Sequence, residues 1–202
     1  MTPLRMTFAA LALMATALPA QAEKISLNAI SNYLNGLTTA KSQFTQINDD
    51  GTISTGTIYL KRPGRARFEY NPPMDALVVA GGSQVAIFDG KSNAGPQQYP
   101  LKRTPLNLIL ARDVNLSQAN MVVGHNYDGT ATTVVAQDPE NPEVGTIELK
   151  FTANPTELRQ WIITDNAGSK TTVLLGEFEK GVPLGSSLFS ITAAINKRGA
   201  RD

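Results

Sequence analysis

The 202 residues contain no cysteine, one histidine and one tryptophan. Without cysteine there is no disulfide framework, no thiol nucleophile and no thiolate metal site. Lipid attachment at an N-terminal cysteine is excluded on the same ground. A lone histidine, His125, offers no pair of imidazoles for zinc and only one base for a serine nucleophile, with no orienting carboxylate in view. No HExxH, P-loop or GxSxG pattern occurs. No metal, no cofactor and no enzymatic activity are therefore expected, although carboxylate pairs that meet only in space escape a reading of this kind.

Long apolar runs are scarce too. The one clear case lies at the start, where Arg5 precedes an apolar stretch from Met6 to Leu18, followed by Ala20-Gln21-Ala22. A basic residue, a short apolar core and a small-x-small site make residues 1–22 a cleaved secretory signal peptide. The core is shorter than the roughly 20 apolar residues a bilayer span needs. Residues 23–202 are expected to form one domain. Loss of Arg5 brings the 18 basic residues to 17, level with the 17 acidic ones, which argues against nucleic acid as a partner.

Two segments have helical character. Leu27, Ile30, Leu34 and Leu37 form one apolar stripe behind Ser26, a suitable N-cap. Thr104-Pro105 opens a second, short helix through Leu106, Ile109 and Leu110, apolar nearly all round and so covered on more than one side. Most of the remainder reads as strand: 52–61, 67–70, 76–80, 84–88, 121–127, 130–136, 146–152, 158–164, 170–178 and 187–192. Gly81-Gly82, Asp128-Gly129 and Asp165 to Gly168 supply hairpin turns. The tail 196–202 reads as polar and frayed. Strands at such intervals predict an antiparallel meander, closed or partly closed, with two helical insertions.

Ser42-Gln43-Phe44-Thr45-Gln46, then Gly56, then Lys61-Arg62-Pro63-Gly64-Arg65-Ala66-Arg67-Phe68-Glu69-Tyr70-Asn71-Pro72-Pro73 resemble the outer-membrane lipoprotein carrier family, LolA. The likeness continues through Val85 to Asp89 and Thr104-Pro105-Leu106, and ends with Asp165 to Thr172. One departure stands out: Ala193-Ala194-Ile195-Asn196 replaces the proline-rich segment that follows the last strand in the family.

The resemblance implies a mainly β fold, an unclosed antiparallel barrel of about eleven strands whose helices form a lid over an apolar cavity. It implies a periplasmic chaperone that takes lipoproteins from an inner-membrane ATP-driven transporter and delivers them to an outer-membrane receptor. It also assigns Arg62 a latch role against the lid, facing Leu34. Alternating apolar positions Ile58, Leu60, Phe68, Tyr70, Val79, Ile87 and Trp161 are candidate lining for acyl chains. Leu27, Ile30, Leu37, Leu106, Ile109 and Leu110 would cover them. A monomer is expected. A periplasmic sensor of lipid or lipoprotein on the same fold, or a binder of a small apolar ligand, stays open as an alternative.

Overall fold

A computed structural model describes residues 23–90, 95–117 and 120–199; the signal peptide expected over residues 1–22 lies outside them. Ser26 accepts a hydrogen bond from the Ala29 amide and starts α1 (Leu27–Gly36), the capping expected of a serine ahead of an apolar stripe. Five strands come next in antiparallel succession: β1 (Thr39–Ile47), β2 (Ile53–Lys61), β3 (Ala66–Tyr70), β4 (Leu77–Gly81) and β5 (Gln84–Phe88). A sixth, β6 (Gln97–Pro100), leads into the short α2 (Leu106–Leu110). The chain then builds β7 (Val122–Tyr127), β8 (Thr132–Gln137), β9 (Thr146–Thr152), β10 (Glu157–Thr164), β11 (Lys170–Leu175) and β12 (Glu179–Lys180), and ends in α3 (Ile191–Gly199).

All twelve strands belong to one sheet, in the order β6-β5-β4-β3-β2-β1-β11-β10-β9-β8-β7, with β12 also on β1. β6 and β7 are its two ends, and they do not pair with each other. The barrel is open along that seam, as expected, and the segment carrying α2 crosses from one end to the other.

Burial alternates strictly along β2, β8 and β9, the mark of a sheet with one packed and one wet face. The packed inner face joins Ile58, Leu60, Phe68, Val134, Leu149, Phe151 and Trp161 in one cluster with Ile30 and Leu34 of α1, Leu37 at its C-cap, and Ile109 and Leu110 of α2. Edge-to-face contacts run from Tyr70 to Phe44, on to Phe68 and on to Trp161, at ring separations of 5.1, 5.7 and 6.1 Å. Gly56 makes room for this chain. A Cβ there would stand 2.7 Å from the Phe44 ring and 2.2 Å from the Glu69 carbonyl oxygen.

Three expectations are corrected. Residues 187–192 are not a strand: Ser186–Phe189 is a 3-10 turn and α3 begins at Ile191. Ser190 decides this by capping the helix, its Oγ accepting from the Ala193 amide and its carbonyl from the Ala194 amide. The tail is accordingly helical as far as Gly199. The strand expected over 170–178 stops at Leu175, where the Gly176 amide turns to the Gln43 carbonyl, and pairing with β1 resumes at β12.

Candidate functional site: a lidded inner face

The lid has two parts. α1 lies across the inner face with its apolar stripe down: Ile30, Leu34 and Leu37 are buried, and Leu27 packs at the margin. Its N-terminal approach is clipped to the far end of the sheet. The Ile25 amide donates to Thr132 Oγ1, and the Ile25 carbonyl lies 2.9 Å from His125 Nε2. His125, the lone histidine, is thus a structural clip.

The second part is α2 with the strap 111–117 behind it. Ile109 and Leu110 are buried, as are Val114 and Leu116, and Leu106 packs against them. Thr104, at the opening of this helix, does not cap it. Its Oγ1 donates to the Leu101 carbonyl, and Pro105 holds the N-cap position.

Arg62 lies where the two parts meet the rim of the sheet. Its Nη2 donates to the Ala111 carbonyl at 2.6 Å and to Asn35 Oδ1 at 3.3 Å. The same turn adds two main-chain bonds, from the Gly64 amide to the Leu110 carbonyl and from the Arg62 amide to the Thr38 carbonyl, each 2.8 Å. Burial pushes the Arg62 guanidinium below the usual arginine range, and the charge of Asp113 acts in the opposite sense. Among the described residues, its buried Nε has no hydrogen-bond partner. A charge held this way is only partly compensated.

The predicted lining residues divide. Ile58, Leu60, Phe68 and Trp161 sit in the inner cluster, and Tyr70 packs at its edge with its hydroxyl donating to Gln46 Oε1. Burial raises the Tyr70 phenol to about 12. Ile87 lies on the inner side near the β6 end but is 41% exposed. Val79 points the other way, into a small outer cluster with Leu77, Ala86, Phe88 and Ala194 of α3. Its inward neighbours are Val78 and Ala80, which share the inner cluster.

The family model described as outer membrane lipoprotein carrier protein LolA matches residues 35–192. This chain belongs to the LolA family. It is 25% identical over 197 residues to an outer-membrane lipoprotein carrier protein of Cupriavidus necator, covering 91% of this chain and 90% of that one. A carrier protein of the same description from Coxiella burnetii is 23% identical over 169 residues, 79% of each chain. Among solved structures, a LolA superfamily protein from Nitrosomonas europaea aligns with a TM-score of 0.45 at 8% identity, over 82% of this chain and 98% of that one. The family's description is of a carrier and names no reaction.

The LolA match opens at Asn35 and closes at Thr192. Most of α1 therefore precedes it and nearly all of α3 lies beyond it. Sequence reasoning missed several parts of this site. Phe44, Phe151 and Leu158 belong to the inner face, and the alternation of 146–152 was signal enough for Phe151. Asn35, Ser31 and Val114 at the lid joint carried no such signal, because a polar residue on a helix reads as solvated until a strap is laid beside it.

Proposed function

We propose that this chain is a periplasmic carrier that shelters the acyl chains of lipoproteins against the inner face of its open barrel, in the space the lid fills here. The observation that carries the reading is the shared cluster of lid and sheet. Ile30, Leu34, Leu37, Ile109 and Leu110 pack on Ile58, Leu60, Phe68 and Trp161, so lifting the lid would uncover a continuous apolar surface from several strands. A bare 16-carbon chain costs on the order of 12 kcal/mol to expose to water, and the lid residues are what acyl carbons would replace.

The exchange is near-balanced by design. When cargo leaves, the lid returns and the apolar face stays covered, which keeps the empty carrier from presenting an aggregation-prone patch. Membership of a carrier family supports this reading. Residues 1–22 are a signal peptide removed on export. The donor is an inner-membrane ATP-driven transporter and the acceptor an outer-membrane receptor, with handover running downhill in affinity.

The test is to incubate the mature protein with spheroplasts synthesising lipoproteins, matched in species to the carrier. Outer-membrane lipoproteins appearing in the soluble fraction bound to this protein are the expected result. Folded protein that releases none would sink the carrier reading and leave a lipid sensor or small-ligand binder.

A further inference from the structure

α1 carries a second stripe besides its apolar one. Asn28, Ser31 and Asn35 fall at spacings of three and four, hence on one helical face, and all three face the strap. Asn35 makes a paired contact with Val114, donating from Nδ2 to its carbonyl and accepting its amide at Oδ1, both at 2.9 Å. One turn earlier, Ser31 Oγ accepts the Leu116 amide at 3.0 Å while donating to the Leu27 carbonyl. At the far end Asn28 Oδ1 accepts from Ser117 Oγ. The side chains of α1 thus satisfy strap main chain as a neighbouring strand would. At the Asn35 end, the joined pieces are held to the rim by the turn at 62–64, while the Ile25 clip to Thr132 and His125 holds the other end of α1.

We infer that α1 and the strap 111–117 lift as one body, with Asn35 the positioning residue that joins them and presents their shared edge to Arg62. This deepens the carrier reading and rests on it: opening would break the bonds to the 62–64 turn and leave the α1–strap bonds intact. Asn35 Oδ1 serves both sides, accepting from Val114 and from Arg62, so the two contacts are coupled through one atom.

The absence of native cysteine makes the test clean. Ser31→Cys with Leu116→Cys, oxidised, ties α1 to the strap, and the reduced form is its own control for folding. The probe is a 16-carbon fatty acid bearing an anthroyloxy fluorophore. Oxidised and reduced forms are expected to bind it within about twofold. Binding lost on oxidation and restored by reductant would overturn the single-body lid.

A double-mutant cycle isolates Asn35. The gain in probe affinity from Arg62→Leu, about tenfold in the native background, is expected to fall to about threefold with Asn35→Ala. Full additivity would remove Asn35 from the coupling. Should neither cysteine form bind the fatty acid, the carrier reading fails, and amide exchange of the native protein still decides the inference. Leu116 and Ile30 amides exchanging at rates within about threefold of each other support one body, and separation beyond about tenfold refutes it.

Discussion

The sheet is covered twice, and the two covers are built differently. Inside, α1 and the α2 strap press on a large cluster and complete it. Outside, α3 packs Ala194 and Ile191 on only Leu77, Val79, Ala86 and Phe88. One basic stretch fastens both. Lys61 Nζ and Arg67 Nη1 reach the Leu184 and Leu188 carbonyls of the outer segment, while Arg62, set at the strand end, turns to Ala111 of the inner lid. The outer cover has additional ties, with Arg198 donating to the Asp75 carbonyl and lying 5.5 Å from the Phe88 ring centroid. Gly81 lets the Phe189 carbonyl come so close that a Cβ would stand 2.1 Å from it. A cover with little apolar area, held mainly by polar ties, is a buttress. One held mainly by apolar area is removable wherever another apolar body can take its place.

The comparison breaks most severely at the centre of the inner face. Trp161 is 1% exposed, and Trp161→Ala should cost about 3–5 kcal/mol of stability. Urea unfolding followed by circular dichroism measures this, since the only tryptophan is gone. A loss below about 1 kcal/mol would mean the inner face is loosely packed even when lidded.

Gly81→Val attacks the outer cover alone. The displaced Phe189 turn should cost about 1–3 kcal/mol, with fatty-acid binding unchanged. If binding falls together with stability, the two covers are not independent.

Arg62→Leu attacks the inner cover. Removing hydrogen bonds from a charged donor weakens the closed state by about 1.5–3 kcal/mol, so the variant should accept cargo readily and release it poorly to acceptor membranes. Transfer at the normal rate would show that the latch does not set the closed state.

One further effect appears only at high pH. Tyr70 ionises near 10 when unfolded and at about 12 when folded. The folded state therefore holds its proton longer, and stability falls as pH rises from about 10 to about 12, by at most about 1.4 kcal/mol per unit. Tyr70→Phe should flatten that part of the pH profile. An unchanged slope would place the titration elsewhere.

Legibility in the sequence tracked the difference between the covers. The stripe Leu27, Ile30, Leu34, Leu37 announced the inner helix because one face of it is apolar and the other is not. Strand 52–61 announced itself by its β-branched and aromatic residues. The apolar run 76–80 also read as strand but showed no face, because the sheet there is covered on both sides and a continuous apolar run carries no face label. Val79 therefore reads as lining in the sequence, yet in the fold it supports α3. The Leu188 to Thr192 segment favours strand by residue type, and only the Ser190 cap and the apolar seat beneath Ala194 make 191–199 a helix.

What the sequence determined by itself was local and periodic: a mostly antiparallel β chain, an amphipathic helix ahead of it, turns at Asp128-Gly129 and Asp165 to Gly168, and no chemistry that needs cysteine or paired histidine. Those features depend on neighbours within a few residues. The tertiary structure alone decided that β6 and β7 stay apart, that Arg62 meets Ala111, and that Asn35 meets Val114. These depend on groups brought together from 49 and 79 residues away along the chain, a distance over which side-chain periodicity carries no information about which face meets which.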